Sequence, residues 1–530
     1  MGEMYDLIVV GAGTAGCVLA ERLTNSGKLR VLLLEAGGPP KNRFVSVPAG
    51  MAKLFKSEVD WAFESEPQTA IDGRRIFTPR GKMLGGSSNM NAQMHQWCHP
   101  ADFEGWVEAG ASGWGWMDVQ SVFRSQERWL GEDDDPGRGR QGPMTISPNR
   151  NARPLSRAFV DAARQAGLGG AHLYNGHAYQ GAWIAELAHK DGKRFSAYDA
   201  YLVPAMRRKN LEVMTDATVT RVVIDRGRAV GVTVRRGGSD ETLTARGVVL
   251  SAGAFASPQL LMLSGIGPAA VLAKFGLPVH VDRQEVGENL QDHPATGIVC
   301  RTHSTDTLKS AESPLNLLRY VLFKRGMLAS GGVEGFAFTQ VRPGPVAAPD
   351  LEILFMPFER RKEFLEPPQE HAFTIASAVV APRSRGRLIL RSPDPLVPPG
   401  IDFRLLSDPD GIDASVLCEG IRLSRKIANT LPLAAHNAGE MQPGASIESD
   451  RDLLAYASTD LQTVYHPTST CRMGSDQRAV VDPELRVREV ENLWVADASV
   501  MPSVPRGHPN AVVAMIAERA ARWVERAMQA

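Results

Sequence analysis

Residues 5–37 constrain the fold of this chain more than any other stretch. Apolar residues at 7–10 follow Tyr5 and predict a short buried strand, and residues 17–23 repeat at helical spacing after a glycine-rich turn. A second apolar run at 31–34 predicts another strand, which ends at Glu35. A strand, a helix and a second strand in this order form a βαβ unit, so we expect a parallel sheet at the start of the chain.

The turn of this unit carries Gly11, Gly13 and Gly16 in G-x-G-x-x-G spacing. The first glycine permits the tight turn, the second lets a pyrophosphate approach the backbone, and the third lets the helix pack close to the sheet. The helix N-terminus adds unpaired N–H groups and a positive dipole end. Glu35 ends the second strand, where a carboxylate accepts hydrogen bonds from an adenosine ribose and disfavours a 2′-phosphate. We therefore predict a dinucleotide site for FAD or NAD, between which this stretch does not choose, and we do not expect NADP.

The composition excludes several other classes of protein. The chain has 530 residues, which favours two domains, and it carries 59 Lys and Arg against 59 Asp and Glu. This balance offers no basic face to nucleic acid, so we expect no nucleic-acid partner. No window approaches about 18 uninterrupted apolar residues, and no secretory signal precedes the first strand. We therefore predict a cytoplasmic protein without a transmembrane segment.

The cysteine pattern agrees with that location. The five cysteines fit neither a C-x-x-C motif nor a metal-like spacing, and they are Cys17, Cys98, Cys300, Cys418 and Cys471. Free thiols in a reducing cytosol are the simpler interpretation, and we predict no metal site.

Alternation and helical spacing predict the rest of the fold. We expect a meander from three Val- and Thr-rich stretches, at 211–224, 228–234 and 241–250. Residues 248–258 predict a buried strand that ends in small residues, followed by a helix at 259–264. Further alternating stretches predict an antiparallel sheet with accompanying helices, with strands near 353–356, 373–380 and 387–390 and helices at 314–322 and 414–428.

These patterns together predict an α/β fold that is α+β overall. A Rossmann-like dinucleotide-binding domain with a parallel sheet would be joined to a substrate-binding domain of antiparallel sheet with helices. We expect the first domain to be discontinuous and the second to be inserted into it. The first would comprise residues 1–155, 190–303 and 456–530, and the second would comprise residues 156–189 and 304–455.

Three further segments are dense in polar turn residues. Residues 81–92 contain two glycines followed by two serines, which indicate either a turn that binds a polar ligand or an ordinary surface turn. Residues 464–474 place His466 in a turn. Asn510 precedes an amphipathic helix predicted at 511–528, and asparagine is a favoured N-cap.

Four ordered blocks resemble the glucose–methanol–choline (GMC) oxidoreductase family, which uses FAD. They are GAGTAG with Glu35, GKMLGGSSNMNA at 81–92, SAGAFASPQLLMLSGIGP at 251–268, and YHPTSTCRMG at 465–474 with the helix that follows Asn510. The blocks extend over nearly the whole chain and are most similar to the bacterial choline-dehydrogenase-like and alcohol-dehydrogenase-like branch.

The resemblance implies roles for individual residues. His466 and Asn510 would form the catalytic pair, although many members have His at the second position. Met90 stands where some members attach the flavin covalently through His, so FAD would be bound non-covalently. The implied contacts with FAD are Gly11, Gly13, Thr14, Ala15, Gly16, Glu35, Ala36, Gly85, Gly86, Ser88, Asn91, Ala92, Val219, Ala252, Gly253, Asp497, Ala498, Asn510 and Ala511.

The implied reaction is oxidation of a small alcohol to the aldehyde or ketone. A neutral imidazole, with an ordinary pKa of about 6.5, suits His466 to take the O–H proton as hydride leaves for flavin N5. Asn510 would donate a hydrogen bond to the substrate oxygen. Oxygen or a quinone-type carrier would then reoxidise the flavin.

Several alternatives stay open at this point. A lyase or decarboxylase on the same FAD scaffold, or a non-catalytic FAD-binding protein, would share the fold. A choline-type cationic substrate is a further alternative, for which Glu334 is the candidate acid. His508 lies two residues before Asn510, and we expect its replacement to retain most of the activity. His95 and His99 are interpreted as packing residues.

Overall fold

The computed structural model describes residues 4–132, 135–170, 174–176, 179–344 and 346–529. Within them the α-helices are α1 (Thr14–Thr24), α2 (Pro100–Glu108), α3 (Trp116–Gln126), α4 (Pro154–Gln165), α5 (Val203–Ala205), α6 (Gly253–Leu263), α7 (Ala269–Lys274), α8 (Pro314–Phe323), α9 (Ile412–Ala428), α10 (Asp450–Asp460) and α11 (Asn510–Gln529). None of these described helices is both long enough and apolar enough to cross a membrane.

Two large sheets organise the described chain. Their strands, numbered together along the sequence, are β1 (Tyr5–Val10), β2 (Val31–Leu34), β3 (Gly181–Ile184), β4 (Leu211–Met214), β5 (Thr218–Asp225), β6 (Arg228–Arg236), β7 (Ser239–Leu250), β8 (Pro294–Thr302), β9 (Gly335–Thr339), β10 (Leu351–Met356), β11 (Ala372–Val379), β12 (Asn437–Gln442), β13 (Gln462–Thr463) and β14 (Leu493–Val495). Shorter strands form small separate sheets, at Phe63–Glu64, Phe77–Thr78, Glu127–Trp129, Met144–Pro148, Glu186–Leu187, His189–Lys190, Lys193–Arg194, Ile266–Gly267, Val281–Asp282, Glu288–Leu290, Gly386–Ile389 and Gly400–Asp402.

The first sheet has the order β4-β2-β1-β7-β6-β5, and β14 also pairs with β7. The pairs β4–β2, β2–β1, β1–β7 and β7–β14 are parallel, whereas β5, β6 and β7 form an antiparallel meander. Residues 7–10 of β1 are buried on both faces, as expected for a covered parallel strand. Because Val10, Leu34 and Leu250 are in register, the residues that follow β1, β2 and β7 meet at one edge of the sheet. Ligands of open α/β sheets bind at this carboxyl edge.

The second sheet is antiparallel and has the order β12-β8-β11-β10-β9-β3, with β13 also paired to β8. Helix α9 packs on this sheet, mainly against β11 and β8. In β10, Ile353 and Phe355 alternate with Glu352 and Leu354, so the two pairs face opposite sides of the sheet. The mixed α/β fold with a parallel and an antiparallel sheet is therefore confirmed.

Three local expectations need correction. The predicted strand at 211–224 is two strands, because β4 pairs in parallel with β2 and only β5 belongs to the meander. The strand predicted at 387–390 is Gly386–Ile389 and lies outside the large sheet. The segment 253–258, expected to end a strand, is the first half of α6. Pro258 lacks an N–H inside that helix, and the hydroxyl of Thr470 donates instead to the carbonyl of Ala254, at 2.6 Å.

All five cysteines are unpaired, as the spacing predicted, and all five are buried. Helix α11 packs along α1 beside the first sheet, which brings the C-terminal helix to the glycine-rich turn. This contact decides the geometry of the site.

Candidate active site

A cavity of about 630 Å³ lies between the two sheets. Its walls include most of the residues predicted to contact the cofactor, namely Gly11, Gly13, Thr14, Ala15, Glu35, Ala36, Gly86, Asn91, Ala92, Val219, Ala252, Gly253, Asp497, Ala498 and Asn510. Apolar side chains of the second sheet, including Leu354 and Met356, close the other side. The cavity therefore extends from the carboxyl edge of the first sheet to the face of the second.

Glu35 holds two backbone turns at one end of this cavity. Its carboxylate accepts from the N–H of Ala12 at 2.8 Å and from the N–H of Gly37 at 2.9 Å. Burial raises the pKa of Glu35 to about 7, against the opposing effect of these N–H donors. The carboxylate is thus part of the glycine-rich turn as well as part of the cavity wall.

The three glycines of the turn serve different purposes. A Cβ on Gly16 would lie 1.9 Å from the carbonyl oxygen of Gly11, so this position allows α1 to start close to the turn and does not line the cavity. Gly13 lines the cavity, and no atom lies within 4 Å of the place where its Cβ would be. Its backbone is therefore accessible to a ligand.

The loop at 81–92 packs directly on the same turn. The N–H of Gly85 donates to the carbonyl of Ala12 at 2.7 Å, and a Cβ on Gly86 would lie 2.7 Å from the Cα of Gly13. Ser88 donates from its hydroxyl to the carbonyl of Gly85 at 2.6 Å. Gly85 and Ser88 therefore shape the loop from behind the cavity wall.

Asp497 joins the ends of β14 and β7. One carboxylate oxygen accepts from the N–H of Gly253 at 2.8 Å and from the hydroxyl of Ser257 at 2.6 Å, and the other accepts from the N–H of Ser499 at 2.8 Å. The start of α6 is held against the cavity in this way. Gly253 has a φ of +83°, which favours glycine.

Three histidines meet at the opposite end of the cavity. Nδ1 of His466 lies 3.1 Å from Nδ1 of His293. The rings of His466 and His508 are 4.7 Å apart between centroids and nearly perpendicular. His466 and His508 line the cavity, whereas His293 is fully buried behind them.

Asp292 positions two of these histidines through their backbone. One of its oxygens accepts from the N–H of His293 and from the N–H of His466, each at 2.8 Å. Burial raises the pKa of Asp292 to about 7, partly offset by the charge of Arg80. Removing this carboxylate would leave two buried N–H groups without an acceptor.

Burial also keeps the histidine pair neutral. It lowers the pKa of His466 well below its usual range, and neighbouring His508 adds to the effect. It lowers the pKa of His293 to about 3, again with a smaller contribution from His508. Both imidazoles are therefore uncharged near neutral pH.

His508 has a carboxylate partner of its own. Its Nε2 lies 3.1 Å from Oε1 of Glu352, a fully buried residue of β10. Gln96 links the two, because its Oε1 accepts from the N–H of His508 at 2.9 Å and its Nε2 donates to Glu352 at 3.2 Å. His508 thus connects the second sheet to the cavity.

Asn510 does not act as the N-cap that the sequence predicted. It is the first residue of α11, and the carbonyl of Pro509 already accepts from the N–H of Val513 at 2.8 Å. The side-chain oxygen of Asn510 accepts instead from the hydroxyl of Thr14 at 2.8 Å. The amide is held across the start of α1, with Asn510 on the cavity wall and Ala511 behind it.

Other candidates lie outside the wall. Glu334 is fully buried and accepts from the N–H of Arg153 and the hydroxyls of Ser156 and Ser330, each at 2.6 Å. It is therefore fully engaged inside the protein. His95 accepts from the indole of Trp97 at 3.2 Å, and neither His95 nor His99 lines the cavity.

Sequence reasoning missed His293 and Glu352. The first lies in the polar segment VGENLQDHP at 286–294, to which the sequence patterns assigned no function, and its one signal was the pair Asp292–His293 before a proline. The second is a single charge in an apolar strand, LEILFM, which is the only local sign of a buried function there.

Comparisons with known proteins agree with this geometry. Two family models, both described as GMC oxidoreductase, match residues 5–295 and 382–517. An uncharacterised GMC-type oxidoreductase of Mycobacterium tuberculosis is 44% identical over 98% of this chain and 99% of its own length. An alcohol dehydrogenase [acceptor] of Pseudomonas putida is 37% identical over 99% of this chain and 96% of its own length.

A solved structure extends the likeness to the fold. Pyridoxine 4-oxidase of Mesorbium loti has a TM-score of 0.88 and 31% identity, with 98% of each chain covered. The resemblance predicted from the four sequence blocks is thus confirmed. This chain belongs to the GMC oxidoreductase family and is an FAD-dependent oxidoreductase that acts on CH–OH donors.

Proposed function

We propose that this enzyme oxidises an alcohol to an aldehyde or ketone, with His466 as the proton acceptor and Asn510 as the hydrogen-bond donor to the substrate oxygen. The observation that carries this proposal is the neutral His466, which lines the same cavity as Asn510 and has a defined partner on one ring nitrogen. A neutral imidazole can accept a proton, whereas an imidazolium cannot.

The cavity fits FAD. Its volume of about 630 Å³ lies in the range of small-molecule sites, and the open space at Gly13 admits a pyrophosphate. Glu35 would bind the adenosine ribose, and the loop at 81–92 would run along the pyrophosphate and flavin. FAD, when bound, supplies the acceptor for the hydride that leaves the alcohol carbon.

The hydrogen bond between the two histidines decides which nitrogen of His466 is basic. Each neutral imidazole carries one N–H, so one of the two Nδ1 atoms must donate to the other. If His466 donates from Nδ1, its Nε2 keeps a lone pair for the substrate proton. We propose this tautomer, in which Nδ1 of His293 accepts the hydrogen bond and the N–H of His293 is on Nε2.

Thr14 orients the amide of Asn510 for its proposed role. The hydroxyl donates to the amide oxygen, which leaves the NH₂ group as the part that can donate to a substrate oxygen. Such a donor stabilises charge that develops on that oxygen as the proton leaves. The N-terminus of α11 lies at the same place and adds positive potential.

The two sheets support a division into an FAD-binding and a substrate-binding domain. We propose that the division follows sheet membership, so that residues 294–302 of β8 and residues 462–463 of β13 belong with the substrate-binding domain, along with β3 and β9 to β12. Without β8 and β13, the FAD-binding domain keeps the residues that the sequence predicted for it, which are 1–155, 190–303 and 456–530.

Met90 supports non-covalent binding. It lines the cavity, and a thioether is no candidate for the covalent flavin linkage that a histidine forms at this position. We expect acid precipitation of the yellow protein to release all of its flavin as FAD. Flavin that stays with the washed precipitate would contradict this expectation.

An anaerobic screen tests the reaction itself. Alcohols of graded size and polarity are mixed with the enzyme in the dark, and bleaching of the flavin absorbance is followed. Bleaching by an alcohol with formation of its carbonyl product supports the proposal, and no bleaching by any alcohol would refute it. Repeating the reaction in air with peroxide detection, and then with a soluble quinone, identifies the electron acceptor.

A further inference from the structure

Helix α8 exposes an unusual number of apolar side chains. Of the large apolar residues that are exposed in the described chain, six lie on this one short helix, and they are Leu315, Leu317, Leu318, Val321, Leu322 and Phe323, with 44–75% of each surface accessible. Isolated exposed apolar residues are normal, but a contiguous set marks a contact surface.

The part of α8 that packs against the rest of the protein is small. Tyr320 is its only buried residue, and the Tyr320 hydroxyl donates to the carbonyl of Ser46 at 3.4 Å. Ser313 caps the N-terminus of the helix, and its hydroxyl accepts from the N–H of Asn316. Tyr320 and the half-buried Asn316, whose amide donates to the carbonyl of Ser310 at 2.8 Å, thus seat α8 on the protein, and its Leu, Val and Phe side chains remain exposed.

Basic residues surround this apolar surface. Arg319 and Arg325 are exposed, and no carboxylate among the described residues pairs with either of them. Lys324 ends the helix, and its backbone contacts the hairpin formed by the strands at 189–190 and 193–194, since a Cβ on Gly192 would lie 2.0 Å from the carbonyl of Lys324.

That hairpin adds two cations and one acid at the edge of the surface. Lys190 and Lys193 are exposed, and Asp191 lies between them. The nearby Glu312 is neutralised by Lys53 at 2.9 Å. The rim of the apolar surface is therefore predominantly positive.

We propose that α8 lies in the surface of an anionic lipid bilayer and holds the enzyme there as a peripheral protein, which goes beyond the proposed reaction. A short helix with protruding Leu, Val and Phe side chains and a basic rim has the composition of an interfacial helix. Ten residues are too few to span a bilayer, so the helix lies in the interface. Anionic headgroups complement the rim.

The same charges argue against a second copy of this chain as the occupant. A two-fold interface would place α8 of one copy against α8 of the other and bring Arg319 and Arg325 close to their own counterparts. Like charges in such a contact are unfavourable. An anionic lipid surface has the opposite charge, and the exposed apolar side chains of α8 can insert into it.

Flotation of the holoenzyme with vesicles tests this inference. We expect the enzyme to float with phosphatidylcholine vesicles that contain phosphatidylglycerol, to float much less with pure phosphatidylcholine, and to be released by salt. Failure to float with the anionic vesicles would overturn the proposal.

Two pairs of substitutions separate the apolar and the charged contribution. Leu318→Glu with Leu322→Glu should weaken binding to anionic vesicles by about tenfold or more, because two apolar side chains no longer enter the bilayer. Arg319→Gln with Arg325→Gln should weaken it by about fivefold for each cation removed and reduce its salt dependence. The matched control is Met117→Glu, an exposed apolar residue of α3 with 77% of its surface accessible, which should float like the parent enzyme.

Two controls distinguish the competing outcomes. Each variant must keep its FAD absorbance and its melting temperature, which shows that it is folded. Light scattering without lipid reports the oligomeric state. If the enzyme does not float and is a dimer that Leu318→Glu with Leu322→Glu dissociates, the surface belongs to a second copy. Unchanged flotation of this double variant would show that α8 is not the contact.

Discussion

The two ends of the cavity are built in different ways. At the end marked by Glu35, the wall is mostly backbone, and it comes from the turn after β1, the end of β2 and a loop that packs on them. At the end marked by His466, the wall is mostly side chains from four distant segments, represented by Asn91, His466, His508 and Leu354. Backbone sites need glycines at set spacings and are visible in sequence, whereas side-chain sites depend on tertiary contacts.

This difference predicts that substitutions at the two ends of the cavity impair different properties of the enzyme. Substitutions at the Glu35 end should affect how tightly FAD is held, and substitutions at the His466 end should affect how fast it is reduced. The following experiments measure one or both of these quantities.

The largest effect is expected for His466→Ala. Loss of the proton acceptor should slow anaerobic flavin reduction by about 10²–10⁴-fold while FAD affinity stays unchanged. Rapid mixing with one alcohol substrate measures the rate, and the exposed His303→Ala is the matched control.

His508 provides the decisive comparison for this assignment. From the sequence we expected His508→Ala to retain most of the activity, but its ring contact with His466 makes it unsuitable as a neutral control. We expect an effect between those of His303→Ala and His466→Ala. A His508 variant slower than the His466 variant would mean that the proton acceptor has been assigned to the wrong histidine.

Glu35→Ala should weaken FAD binding by about 10- to 150-fold without slowing reduction of the FAD that remains bound. The carboxylate accepts from two backbone N–H groups, so Glu35→Gln, which keeps one acceptor, should lose less. Titration of the apoprotein with FAD measures the affinity, and Glu108→Ala on the exposed face of α2 is the control. Unchanged affinity in Glu35→Ala would show that this carboxylate does not face the ribose.

The pH dependence of FAD binding is a second test of whether Glu35 binds the ribose. The pKa of Glu35 is raised to about 7 in the protein without cofactor, and ribose hydroxyls would donate to its ionised form. A proton must then leave on binding below pH 7, so affinity should fall as pH falls through 7, by at most about tenfold per pH unit. Glu35→Gln should lose this dependence, and a dependence that persists in Glu35→Gln would assign it to another group.

His293→Leu should slow reduction by about 10- to 100-fold, because His466 then loses the partner that selects its tautomer. His293→Asn keeps an acceptor near the position of Nδ1 and should recover much of the rate. Both variants should lower kcat far more than they raise KM. An equal loss of reduction rate in the two variants, together with loss of FAD, would indicate that His293 has a purely structural role.

Thr14→Val should have the smallest effect, about 2- to 13-fold on the reduction rate, which corresponds to one hydrogen bond. The prediction tests whether Thr14 acts through Asn510, since the two side chains are bonded. If so, the double variant with Asn510→Ala should be no slower than Asn510→Ala alone. Additive losses would show that Thr14 contributes separately.

Much of the dinucleotide end was predictable from the sequence. Gly13 and Glu35 belong to one βαβ unit, so local spacing alone places them near each other. The motif also correctly predicted that Gly16 is needed for close packing. A side chain at this position would clash with a residue only five positions away, so the requirement is local in the sequence. The start of α6 was misjudged because the small residues up to Pro258 were assigned to the preceding strand. The contact that replaces the missing N–H of Pro258 comes from the distant hydroxyl of Thr470.

The sequence by itself determined the parallel sheet, the glycine-rich turn, the family and the candidate pair His466 and Asn510. Only the tertiary structure decided that His293 lies behind His466, that Glu352 pairs with His508, and that Thr14 holds Asn510. The physical reason is separation along the chain: these pairs are 156 to 496 residues apart. No periodicity or turn signal links such positions, and their contact exists only after the two sheets and α11 have packed together.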